Sequence, residues 1–149
     1  MEWYRLALIL HIIGATIWVG GHLVLSLAIL PGALHSRNPA IVREFEARYE
    51  RIGIPSLATQ VVTGLWLAYY WTRTFEAFLP PSSPQAWFIT AKLALLLATI
   101  VVAAHARLRV IPTLHEGTLN TLAYHAFTVT ALGLALLVMG VAIRTGGLL

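Results

Sequence analysis

Cysteine and aspartate are both absent from this 149-residue chain, and methionine occurs only as Met1 and Met139. Without cysteine there are no disulfides, no thiolate metal sites and no covalently attached c-type haem. Without aspartate, and with Glu2, Glu44, Glu46, Glu50, Glu76 and Glu116 all outside the apolar runs, paired-carboxylate and triad chemistry have no foothold. No HExxH, GxSxG, P-loop or dinucleotide fingerprint is present. Charge of either sign is scarce, at 11% of residues against 58% apolar, and the mean hydropathy is +0.78. That balance is foreign to a water-soluble domain and makes the bilayer the solvent to reason from.

Crossing a hydrocarbon core of about 30 Å takes about 20 apolar residues of helix. Four stretches meet this need, at about 6–30, 53–72, 86–106 and 121–143. The expected fold is therefore all-α, an integral membrane four-helix bundle forming one domain over residues 1–149. The first run exceeds the ~7–15 residues of a secretory h-region and contains His11, Trp18 and His22, so it reads as a span and not as a leader. Between the first two spans, Asn38-Pro39 opens a capped, partly amphipathic stretch. It predicts a short cytoplasmic surface helix at about 39–50, with Pro55 then in the first turn of the second span. Pro80, Pro81, Ser82, Ser83 and Pro84 predict a stiff connector between the second and third spans.

Basic residues are retained on the cytoplasmic side. Arg37, Arg43, Arg48 and Arg51 lie in the first loop and Arg107 and Arg109 in the third, whereas Arg5, Arg73 and Arg144, with Lys92 somewhat inside, belong to the other end. This predicts both termini outside and a multi-pass protein of a prokaryotic inner membrane. The +4 formal charge does not indicate nucleic acid, because the arginines are spread over loops and interleaved with Glu44, Glu46 and Glu50. The expected partner is the lipid bilayer, with a redox protein, a quinone-like small molecule or a second copy of the chain as further candidates.

Ionisable side chains inside a membrane are costly and face a bundle interior or cavity. His22, His105 and His125 fall in the inner halves of the first, third and fourth spans, and His11 falls near the outer end of the first. At about 100° per residue, His11, Trp18 and His22 share one stripe with Gly14 and Gly21 beside it, and His125 shares another with Met139. Facing histidines, or a histidine and a methionine, are the axial ligands of a b-type haem in a helical bundle. Gly14 and Gly21 would leave room for the flat ring, and Trp18 would pack against its edge. The expected inner site is His22 with His105 or His125; a second, outer site pairs His11 with Met139. The bland alternative is that each histidine hydrogen-bonds a neighbouring helix while the glycines serve close packing. His35 and His115 read as solvated loop residues, and Trp3, Trp66, Trp71 and Trp87 as interfacial belt. Lys92 is expected to snorkel outward along its apolar stem, or else to meet an anionic group.

The run His11-Ile-Ile-Gly-Ala-Thr-Ile-Trp18-Val-Gly-Gly21 resembles the first core helix of the copper-resistance D (CopD) family, and His-x6-Trp also appears in HemJ-type protoporphyrinogen oxidases. Lys92-Leu-Ala-Leu-Leu-Leu followed by His105-Ala-Arg-Leu-Arg-Val-Ile-Pro112 resembles their third helix. The resemblance implies a four-helix membrane unit, with His11, His105 and Lys92 at family positions, and either copper uptake or delivery or a haem-dependent oxidase. His22 and the pattern after the first helix depart from the HemJ type. The expectation is thus a membrane b-type haem protein in electron transfer or oxidoreduction, with His22, His105, His125 and His11 as ligands. The alternatives are a CopD-type copper protein using those histidines, and a cofactor-free structural subunit. Cu(I) prefers thiolate and thioether ligands, which this chain almost lacks, so a copper route here rests on imidazole.

Overall fold

Four helices account for nearly all of the described residues, 2–74, 81 and 83–145, of the computed structural model. Helix α1 runs Glu2–His35 and α2 Pro39–Thr72; α3 runs Pro84–His105 and α4 Leu119–Thr145. All four are long and apolar enough to cross a membrane, and no strand occurs among the described residues. The expected all-α, four-helix architecture is the one observed.

The packing is that of a chain solvated by lipid. Large apolar side chains point outward on every helix, among them Leu27, Val62, Leu97 and Val141. Ser26, Ser56, Gln60, Thr63, Thr99 and Thr130 are buried instead. Small polar side chains let backbones approach and bond across the interface where apolar ones gain nothing over lipid. Ser26 and Thr130 illustrate this: their hydroxyls lie 2.8 Å apart between α1 and α4, and the Thr130 hydroxyl is also 3.2 Å from the His22 carbonyl. Helices α1 and α2 pack along their length, as do α3 and α4, and α1 against α4 joins the two pairs.

Three prolines shape the helices. The sequence predicts a surface helix ending before a second span that starts near Pro55, but α2 is one uninterrupted helix with Pro55 inside it. Its N-terminus is the expected one, with Asn38 Oδ1 accepting from the Ala40 amide at 3.0 Å and Pro39 in the first turn. At about 1.5 Å per residue, a 34-residue helix is about 50 Å long and overshoots the hydrocarbon core by several turns. The other two prolines each follow a widened turn. In α1, Leu25–Ile29 forms a π turn closed by the Leu30 amide on the Leu25 carbonyl, two residues before Pro31. After α3, Ala106–Val110 forms a second, closed by the Ile111 amide on the Ala106 carbonyl at 2.9 Å, just before Pro112. A proline ring in a regular helix collides with the carbonyl four residues back, and the extra residue in each turn relieves that collision.

Both widened turns lie at the end of the bundle that carries the first and third loops. There Leu25, Leu30, Ala33, Val42, Val110, Leu114, Leu119, Leu122, Ala123 and Ala126 form one buried cluster. Arg107 pairs with Glu50, Arg37 with Glu116 at 3.1 Å, and the Arg43 guanidinium donates to the Leu114 carbonyl. The arginines read from sequence as topology signals thus also tie the helix ends together. Of the connector at the opposite end, Pro80 and Ser82 lie outside the described residues, while Ser83 caps α3 by accepting from the Ala86 amide at 3.1 Å.

Candidate functional site

His105 is the last residue of α3 before its widened turn, and His125 sits in the second turn of α4. The close packing of these helices places His105 Nδ1 2.9 Å from His125 Nε2. The ring centres are 5.0 Å apart with 12° between planes, so the rings meet edge to edge along an N–H···N line and do not stack face to face. The proton positions follow from the acceptors. His125 Nδ1 lies 2.8 Å from the Thr121 carbonyl, which only accepts, so Nδ1 carries the hydrogen and Nε2 carries the lone pair. His105 Nδ1–H donates to that lone pair, leaving His105 Nε2 free. The pair therefore aims two ring nitrogens at each other, joined by a hydrogen that a tautomer shift to His105 Nε2 would clear for a metal ion.

His22 makes its contacts elsewhere. Its Nδ1–H donates to the Trp18 carbonyl at 2.9 Å, its ring lies 4.4 Å from that of Trp18, and Tyr49 of α2 meets it edge-on at 5.8 Å. The Tyr49 hydroxyl donates to the carbonyls of Ile17 at 3.1 Å and Trp18 at 3.0 Å. Among the described residues no three His, Cys, Asp or Glu side chains gather around one point. In place of the expected site of His22 with His105 or His125, the structure joins His105 to His125 and leaves His22 in an aromatic cluster of its own.

His11 lies at the other end. Its Nδ1–H donates to the Gln60 carbonyl at 2.9 Å, with the Thr63 hydroxyl oxygen 3.1 Å away. It lines a cavity of about 400 Å³ bounded by all four helices, together with Lys92, Gln60, Trp71 and Arg144. Met139, the partner expected for His11, is not among the residues lining that cavity. Lys92 does not snorkel outward as the sequence suggested. It lines the cavity, with its Nζ 3.0 Å from where a Cβ on Gly140 would stand; the missing side chain of Gly140 makes that space.

The glycines expected to admit a macrocycle are already filled. A Cβ on Gly14 would stand 2.9 Å from the Ser56 carbonyl, and one on Gly21 would fall within the Tyr49 ring. Trp18 is buried against Val19 and Val129, not at the edge of a slot. A haem between His105 and His125 would have to bring a flat macrocycle, and not a single ion, between two rings already hydrogen-bonded at 2.9 Å on helices that pack against each other. These residues do not fit a haem.

Sequence reasoning missed Tyr49, because the stretch containing it was assigned to the membrane surface. It also missed the anchoring of His11 by Gln60 and Thr63, although two uncharged polar side chains one turn apart in an apolar span were a readable signal. A family model described as copper resistance protein D matches residues 43–144. No curated protein and no solved structure matches the chain.

Proposed function

The chain belongs to the copper resistance protein D family, and from that premise we propose that it carries copper as cargo, taking it up or delivering it through a histidine pair at the exposed edge of a multi-pass membrane bundle. The observation that carries this reading is the pair of nitrogens, His105 Nδ1 and His125 Nε2, directed at one another at 2.9 Å. A shift of the His105 hydrogen from Nδ1 to Nε2, which keeps the ring a neutral imidazole, and a widening of about 1 Å would give an ion two opposed bonds of about 2 Å. Such a two-coordinate arrangement suits monovalent copper, which does not demand a filled tetrahedral shell. Imidazole is an acceptable copper ligand where thiolates are absent, and absence of cysteine leaves histidine as the main donor.

Each ring is oriented for this by what lies behind it. The Thr121 carbonyl fixes the His125 tautomer, which is the role that backbone acceptors play behind metal-ligating histidines. The widened turn after His105 sets that ring at the point where α3 changes pitch. With both termini outside, as the distribution of arginines favours, the pair faces the cytoplasmic side of a prokaryotic inner membrane, where an imported ion would be released.

The test is elemental analysis of the detergent-purified chain loaded with copper under reducing conditions. About one retained ion per chain, abolished in His105→Ala/His125→Ala, is expected. Equal copper in the wild type and the double variant would overturn the assignment.

A further inference from the structure

We propose that the cavity containing His11 and Lys92 binds a long-chain amphiphile with a single anionic head group. This does not rest on the copper reading, since it concerns the opposite end of the bundle.

The cavity is of ligand size, about 400 Å³, within the range of small-molecule sites that are mostly apolar with a few placed polar groups. Its walls are Leu8, Leu93, Leu96 and Leu136 together with other apolar side chains, and Lys92 is the charge inside. Lys92 is partly buried, and among the described residues no carboxylate pairs with it. An ammonium held in a low-dielectric bundle without a counter-charge is costly, and an anion entering the cavity would offset that cost. The mouth repeats the sign: Arg144 lines both the cavity and the adjoining recess, and Arg5 lines the recess. Tyr4 accepts from the Arg144 guanidinium at 2.7 Å, which leaves other guanidinium donors for a ligand. Among the described residues no acidic side chain lines either space; Glu2, the described carboxylate of this end, is exposed at the start of α1.

This charge pattern also argues against a copper ion resting at His11, because the Lys92 ammonium shares the cavity. It selects a ligand whose head is negative and whose body is hydrocarbon. The tail would lie along the leucines where α2 and α3 diverge beside their contact at Ala68 and Ile89.

The experiment is native mass spectrometry of the full chain in detergent with four probes: oleate, oleyl alcohol, dioleoyl phosphatidate and dioleoylglycerol. Each anionic probe differs from its neutral counterpart chiefly in the head. At least one anion is expected to bind about tenfold or more tighter than its neutral partner. A preference for oleate identifies a free fatty carboxylate as the ligand class, and one for phosphatidate a lipid headgroup. Lys92→Met should collapse the preference and Lys92→Arg should keep it. Equal binding of acid and alcohol, and of phosphatidate and glyceride, overturns the proposal. So does a preference that survives in Lys92→Met. Should that variant fail to fold, the wild-type comparison decides alone.

Discussion

The two ends of this bundle are built on opposite terms. At the loop end, α1, α2, α4 and the widened turn after α3 meet in one buried cluster reaching from Leu25 to Ala126, and arginines bind carboxylates or carbonyls across elements. At the end carrying the termini, the buried apolar cluster is Ala68 with Ile89, a cavity opens beside it, and Lys92, Arg5 and Arg144 have no carboxylate partner among the described residues. The difference teaches where each chemistry is available. A cation needs nitrogen lone pairs, as at His105 and His125, at an end where Glu50 and Glu116 offset arginine charge; an anion needs the positive charge around His11, which no described carboxylate pairs.

That contrast is most sharply broken by single histidine variants. His125→Ala should weaken copper binding by about tenfold or more, equivalent to about 1.4 kcal/mol, whereas His11→Ala should change it less than about twofold; competition titration with a chelator of known affinity reads both. Equal losses would erase the distinction between the ends.

The next effect concerns stability. Gly21→Ala must displace Tyr49, whose ring is held between α1 and α2 by bonds to Ile17 and Trp18, and should cost about 1–3 kcal/mol, the usual range for overpacking. Gly140→Ala meets the end of the flexible Lys92 chain at 3.0 Å and should cost less than about 1 kcal/mol. Thermal unfolding in one detergent compares the two.

The smallest effect separates ion pairs within the loop end. Glu50→Gln breaks a pair whose side chains are 45% and 34% exposed and should cost up to about 1 kcal/mol, while Glu116→Gln, in a pair 78% and 57% exposed, should cost nothing measurable. If Glu116→Gln proves the more damaging, the loop end is held otherwise than described.

The helices were legible because runs of about 20 apolar residues have few other uses. The cap at Asn38 shows what local reading recovers, since its side chain bonds two residues onward. Tertiary pairing is different in kind. Stripes and depths on isolated helices identified His11, His22, His105 and His125 as inward candidates, but His105 is exposed, and both its facing and the ring it meets depend on how α3 is set against α4. The same limit hid Tyr49, whose partner glycine lies on another helix, and inverted Lys92, whose inward course depends on Gly140 across the interface. Pro55 misled for a local reason: proline reads as a boundary, and only a helix supported on its flank by α1 continues through one.

The widened turns before Pro31 and Pro112 have a geometric consequence for the whole molecule. One extra residue within a helical turn rotates everything beyond it by about 100° relative to an unbroken helix. Each turn therefore resets the phase of its helix, so the stripe that carries His11 and His22 and the stripe that carries Leu30 and Ala33 obey separate alignments. Removing one residue from Leu25–Ile29 would close the widened turn to a regular one with the last turns of α1 still on the loop-end cluster, but would bring the Pro31 ring against the carbonyl four residues back; the widened turn is thus what lets a proline and two independently aligned stripes share a single helix.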